Sequence, residues 1–334
     1  MILLAIVVIL LAVAKQALCL QQLVPKAVVS SLNSSLTLLY QNNLNLTDDV
    51  NHIGAILLDP MPRSSATAAC AAIGESLLSR QAIVNHYSDF LRALSYQAYA
   101  GRAKTVQLYT IEGGSLSVAA DIGEMTFPCT PKTASLPVLC SQSAAGNRAT
   151  SGIASTPANQ ITVAAAGNNY VGFRNQKAFR FLGLRYAEPP QRWRYTSLYG
   201  ETGLTIQANN YGSQCIQTGS GGSEDCLYLN IQTPYIPKAG STDNLRAVLI
   251  WIHGGGFTGG SGADPSTDGS QLASRDDIVT VTFNYRLSTI GFLAVPGTNI
   301  TGNYGIADQN LAIRVSMLSH TVVQLLSDTD ASRF

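Results

Sequence analysis

Charge is what this 334-residue chain has least of. Asp, Glu, Lys and Arg make up 12% of it, against about 25% in an average soluble domain. Lys and Arg total 21 and Asp and Glu 20, leaving a formal charge of +1. No broad basic surface for nucleic acid can be built from that balance, and no Lys/Arg cluster concentrates one. Histidine is scarce too: His52, His86, His253 and His320 are widely scattered. A zinc site needs several His or Cys at short spacings, so no metal is expected. Neither G-x-x-x-x-G-K-[ST] nor G-x-G-x-x-G occurs, which removes the phosphate and dinucleotide loops, and no cofactor is expected. No apolar run reaches 18 residues, so no membrane span is expected once a leader is removed.

What is present begins with MILLAIVVILLAVAKQALCLQQ. Residues 2–14 are all apolar, short for a span but suited to a signal peptide, and Ala17-Leu18-Cys19 fits a cleavage site. Residues 1–19 are therefore expected to be a leader and the protein to be secreted. Export permits disulfides. Beyond Cys19 stand Cys70, Cys129, Cys140, Cys215 and Cys226, an odd number, so one thiol is free or pairs elsewhere. Asn33, Asn45 and Asn299 begin N-x-[ST] sequons and are candidate glycosylation sites.

The chain divides by texture. Residues 20–127 form an N-terminal region of mixed α/β character. HIGAILLDP (52–60) has the pattern of a buried strand ended by a Pro turn, and 66–100 that of one helical stretch. TVQLYTI (105–111) is strand-like. Residues 128–160, rich in Pro, Ser, Thr and Ala, are expected to be a linker, with Cys129 and Cys140 as candidates to staple it. Cys215 and Cys226 enclose ten residues, QTGSGG among them, and a disulfide there is plausible after export. From about 161 an α/β signature follows. LYLNIQTP (227–234) is a strand, LRAVLIWIH (245–253) reads as a central strand covered on both faces, and IVTVTFNYR (278–286) as another. GNYGIADQNLAIRV (302–315) predicts a helix, with Asp308 near its positive end. This order predicts parallel pairing with right-handed crossovers.

WIHGGGFTGG (251–260) lies just past the carboxyl end of one such strand, where ligand sites of open α/β sheets gather. Glycines there can bring two adjacent N–H groups onto one oxygen, the geometry that stabilises an oxyanion in acyl transfer. Taken alone, the glycine run reads equally as a flexible turn.

Five segments in order carry a family resemblance: FLGLRYAEPP (181–190), GSEDCLYLNIQTP (222–234), VLIWIHGGGFTGGS (248–261), IVTVTFNYRLSTIGFL (278–293) and GNYGIADQ (302–309). Together they resemble the type-B carboxylesterases, the α/β-hydrolase family that includes cholinesterases and fungal secreted lipases. The resemblance covers about 161–315. It implies the N-terminal part of an α/β-hydrolase, with a central, mostly parallel sheet, and a small-molecule or lipid ester as substrate. It also implies that Gly255 and Gly256 supply oxyanion-hole N–H groups and that Cys215 pairs with Cys226. Glu224 would pair with Arg192 ahead of Trp193, unless both are merely exposed charges. His253 would order the loop and would not serve as the catalytic base.

This sequence departs from the family pattern at four places. Only Gln191 separates the Pro-Pro from Arg192, and the loop between the cysteines is short. No G-x-S-x-G nucleophile elbow occurs in the 334 residues. Likeness fades after Arg314, so 316–334 reads as a divergent tail of altered frame or splicing, and the sheet is expected to keep a bare edge. A family fragment without turnover is the primary expectation, and an esterase-like extracellular binding or adhesion protein the alternative. Residues 20–160 read either as an accessory domain or as a packed extension.

Overall fold

The computed structural model describes residues 32–317 apart from 46, 132, 145–154 and 220. The expected leader at 1–19, the tail beyond 317 and part of the 128–160 stretch lie outside the described residues.

Among the described residues there are two seven-stranded sheets. The first is drawn mainly from the N-terminal half: β1 (Leu36–Leu39), β2 (Gly54–Pro62), β3 (Val106–Ile111), β4 (Gly114–Ala119), β5 (Glu124–Thr126) and β6 (Ser135–Gln142). The second holds β7 (Gln160–Ala165), β8 (Asn168–Arg174), β9 (Phe179–Arg185), β10 (Thr205–Gln207) and β11 (Tyr228–Thr233). Just after β11 the chain leaves this sheet, and β12 (Tyr235–Ile236) pairs with β1 at the edge of the first. It then returns to the second through β13 (Val248–Ile252) and β14 (Val279–Phe283). The strand orders are β12-β1-β2-β6-β3-β4-β5 and β10-β8-β9-β11-β14-β13, with β7 against β8.

The expected mostly parallel sheet is not what forms. In the second sheet only β10–β8 and β13–β14 pair in parallel, and β7–β8, β8–β9, β9–β11 and β11–β14 are antiparallel. In the first, β3–β6 is parallel and the other pairs are antiparallel. The fold is α/β with two mixed, mostly antiparallel sheets. The cause lies in the connections. Parallel neighbours need a crossover of a dozen or more residues, whereas short turns return the chain beside itself. The pair β13–β14 has such a crossover, carrying the helix Ser270–Asp276, while Ala166-Gly167 turns β7 straight back into β8.

Three local expectations are also corrected. The 66–100 stretch is three helices, α1 (Arg63–Ala72), α2 (Arg80–Asn85) and α3 (Tyr87–Tyr99). Gly74, at φ +75°, follows the end of α1, and Leu78 then donates its N–H to Leu139 O of β6. Ser79 caps α2 by accepting from the Ala82 N–H. Second, β2 does not stop at Pro60. A register shift between Leu58 and Met61 carries it on to Pro62, a bulge being where a strand tolerates proline. Third, Cys140 pairs with Cys70 and not with Cys129, joining α1 to β6. Among the described residues Cys129 is the one free cysteine, and it is exposed.

One apolar cluster joins Leu36, Ile56 and Val138 of the first sheet to Phe181, Ile231 and Phe283 of the second. A smaller one, with Phe90 and Leu94 of α3, packs on the far side of the first sheet. Three further helices complete the second sheet: α4 (Ser270–Asp276), α5 (Ser288–Phe292) and α6 (Tyr304–Met317). No helix among the described residues is long and apolar enough to cross a membrane.

Candidate oxyanion site

The apolar run 245–253 ends in β13, which among the described residues pairs with β14 alone and so forms an edge of its sheet. That corrects the expectation of a strand covered on both faces, and Leu249, Trp251 and Ile252 are exposed. The glycine loop springs from this edge strand. His253, the first residue beyond it, is buried, and its ring stacks on Tyr285 with centroids 4.3 Å apart. Tyr285 Oη donates to His253 O at 2.9 Å. His253 Nδ1 lies 2.9 Å from Gly254 O. A carbonyl only accepts, so Nδ1 carries the proton and Nε2 does not. Burial holds the imidazole below its ordinary pKa, which keeps it neutral. His253 therefore ties down the loop.

Beyond it the chain folds back on itself. Gly255 O accepts from the Thr258 N–H at 3.1 Å and the Gly259 N–H at 3.3 Å. Gly255 has φ +119°, and a Cβ there would stand 2.0 Å from Gly259 O, so only glycine fits. Gly254, Gly255 and Gly256 are exposed. Among the described residues, the N–H groups of Gly255 and Gly256 donate to no protein acceptor, backbone or side chain. Two adjacent, unused donors at the carboxyl end of a strand are the candidate anion-binding groups of this loop.

The flanks are fixed by groups from elsewhere. Cys215 and Cys226 form a disulfide with Cα atoms 4.9 Å apart. Inside that short loop, Gln217 hydrogen-bonds Gly260 twice. Asn284 Oδ1 accepts from the Gly262 N–H at 2.8 Å and from Ser261 Oγ, while its Nδ2 donates to Ser213 O. Ser261 is thus occupied in holding the turn. The Ser288 N–H donates to Phe257 O at 2.7 Å, and Phe257 packs on Phe292.

Arg192 and Glu224 do meet, with Nε 2.7 Å from Oε1. The hydrogen bond from Arg192 is the main cause holding the Glu224 carboxyl below its ordinary range. The pair is exposed, however, with 56% of the Arg192 side chain open to solvent, so it contributes little to stability. The loop 191–194 is held instead by Arg286. Its guanidinium makes two 2.7 Å bonds to Asp308 and donates to the carbonyls of Gln191 and Arg194. Both side chains are buried. Asp308 lies in the second turn of α6, facing Arg286, and is not a charge on the helix end. Gln217, Asn284, Arg286 and Asp308 were not assigned these roles from sequence. Their only signal was position inside the quoted segments or, for Gln217, two residues after a cysteine.

Asn33, Asn45 and Asn299 are all exposed. No group of three His, Cys, Asp or Glu side chains placed to hold a metal occurs among the described residues.

Over part of its length the chain is similar to ester hydrolases. Residues 162–315 match the model of the "Carboxylesterase family". Human bile salt-activated lipase is 36% identical over 157 residues, 44% of this chain and 21% of the relative. Fumonisin B1 esterase of Sphingopyxis macrogoltabida is 40% identical over 152 residues, 40% of this chain and 27% of that protein. Acetylcholinesterase of Electrophorus electricus is 38% identical over 154 residues, 40% of this chain and 24% of that protein. A solved Geobacillus stearothermophilus carboxylesterase aligns at 31% identity and TM-score 0.43, covering 51% of this chain and 36% of its own. Residues 162–315 are thus similar to the carboxylesterase family, cholinesterases among them. The chain spans about a quarter of the length of these curated relatives.

Proposed function

We propose that residues 162–315 supply the oxyanion-binding half of an exported serine carboxylic ester hydrolase acting on small-molecule or lipid esters. The observation that carries this reading is the pair of free, exposed N–H groups at Gly255 and Gly256, set just past β13. An activated serine attacks an ester carbonyl, and the carbonyl oxygen gains charge as the tetrahedral intermediate forms. Each N–H aimed at that oxygen lowers the barrier by about 3 kcal/mol. The family match and its esterase, lipase and cholinesterase relatives support the ester as substrate class. Two disulfides and the apolar residues 2–14 support export.

No G-x-S-x-G occurs in the 334 residues, so this polypeptide by itself is expected to turn over no ester. The purified chain is assayed with p-nitrophenyl butyrate. Hydrolysis at the background rate is the expected result. Turnover abolished by a serine-directed phosphonate would show a nucleophile that this reading lacks.

A further inference from the structure

We infer that Gln217 is a positioning residue for the oxyanion loop: its carboxamide clamps Gly260 and thereby sets where the Gly255 and Gly256 N–H groups point. This deepens the ester-hydrolase reading and rests on it for the meaning of those two donors. The clamp itself stands on geometry alone.

Gln217 Oε1 accepts from the Gly260 N–H at 2.8 Å, and Gln217 Nε2 donates to Gly260 O at 2.9 Å. One side chain thus satisfies both backbone groups of one residue. Only a carboxamide carries an acceptor and a donor in that arrangement, so Asn or Gln is needed, and the reach fits Gln. The clamp is itself held. Gln217 N–H donates to Gly221 O at 3.0 Å, Nε2 also reaches Cys215 O, and the Cys215–Cys226 disulfide closes the loop.

Gly260 is well placed to transmit this restraint. A Cβ on it would lie 2.2 Å from His253 Nδ1 and 2.5 Å from Gly254 O, so its backbone sits directly against both. Its neighbour Gly259 donates to Gly255 O, and a Cβ on Gly255 would stand 2.0 Å from Gly259 O. A shift of Gly260 therefore displaces the start of the glycine run and the Gly255 peptide together. The disulfide loop, 43 residues earlier in sequence at Gln217, acts as the outer jaw of the cradle.

The test uses the full chain with 15N-glycine, and reads amide exchange and chemical shifts at pH 7. In the unsubstituted protein the Gly260 amide is expected to exchange slowly. Exchange at the rate of a solvent-exposed amide overturns the proposal without any variant. Gln217→Ala removes both bonds, and Gln217→Glu keeps the size and acceptor but loses the donor. Gln217→Ala is expected to speed Gly260 exchange about tenfold or more, as loss of the hydrogen bond to that N–H implies, whereas Gln217→Glu keeps that acceptor and is expected to leave Gly260 slow. Both are expected to move the Gly255 and Gly256 amide signals, Gln217→Glu by setting a carboxylate against the Gly260 carbonyl. Ile216→Ala, in the same loop but outside the clamp, is expected to leave all three unchanged. Gly255 and Gly256 signals unmoved in both Gln217 variants would overturn the proposal, because a merely structural role in the disulfide loop predicts that outcome. Added methylphosphonate 4-nitrophenyl ester, a tetrahedral anion, separates the two readings. If Gln217 controls the loop but the anion shifts neither Gly255 nor Gly256, the clamp stands and the ester-hydrolase reading fails. If the anion shifts both and the Gln217 variants do not move them, the reverse holds.

Discussion

A single methyl group has the largest leverage at Gly255. Alanine there would force a Cβ to within 2.0 Å of Gly259 O at a φ of +119°. Gly255→Ala is expected to cost about 1–3 kcal/mol of stability, seen as a lower urea midpoint, with new Gly254–Gly260 amide signals. An unchanged midpoint and spectrum would mean the loop is soft. His52 governs a different property. Its Nδ1 lies 3.0 Å from Asp89 and its Nε2 3.0 Å from Asp48, while His86 faces the same Asp89 at 3.7 Å. A neutral imidazole has one donor, so both contacts are satisfied only when it is protonated. Burial opposes that charge, but the hydrogen bonds to Asp89 and Asp48 outweigh it and raise the pKa above its ordinary 6.5. A raised folded value gives stability that is complete below the unfolded pKa and lost as pH rises through the folded one. The melting temperature is therefore expected to fall across this range on the alkaline side, from about pH 6.5 upward. His52→Gln should flatten that fall in a thermal melt series, and an identical pH profile would refute the account. At this scale Gly255 and Gly256 stood out because a glycine run follows an apolar strand, but their expected role came from the family resemblance. Gln217 was not, because its contact joins an irregular loop to a residue 43 positions away and leaves no periodicity.

Elements show why hydrophobic pattern is a partial guide. β13 and β14 are comparably apolar, yet β14 lies between β11 and β13 with all five residues buried, while β13 is an edge. An apolar run records burial in the surroundings a strand was selected for, and does not name its neighbours. That edge exposes Leu249, Trp251 and Ile252 beside unpaired backbone groups, a template for association. Trp251→Lys is expected to reduce self-association in sedimentation velocity at rising concentration. Equal sedimentation of variant and parent would show the edge to be protected. Strand direction was misread for a related reason. β-Branched runs identify strands, but the connections between them decide parallel from antiparallel, and short returns join β7 to β8 and β8 to β9. The helical stretch was broken by Gly74 and by Leu78 joining the first sheet, a tertiary contact that no helical spacing reveals.

Across the whole molecule the two sheets are bound into one body. β12, from the esterase-like half, pairs with β1, and the principal core contains residues of both. A buried Arg174–Glu75 ion pair and a Lys177–Asp49 pair cross the same boundary. Such pairs contribute little net stability but penalise any arrangement that parts them. The N-terminal sheet therefore supports the sheet from which the glycine loop rises, and Cys70–Cys140 and Cys215–Cys226 fix one loop on each side. The segment that resembles the carboxylesterases was legible from five motifs, whereas the N-terminal sheet, whose pairing is set by contacts distant in sequence, was not. The central claim is that this assembly presents Gly255 and Gly256 as an oxyanion cradle. The most direct measurement is an NMR titration of the 15N-glycine chain with methylphosphonate 4-nitrophenyl ester. The account predicts saturable downfield movement of the Gly255 and Gly256 amide protons, with remote Gly113 and Gly240 still. No movement at Gly255 and Gly256, or equal movement at all four glycines, would contradict it.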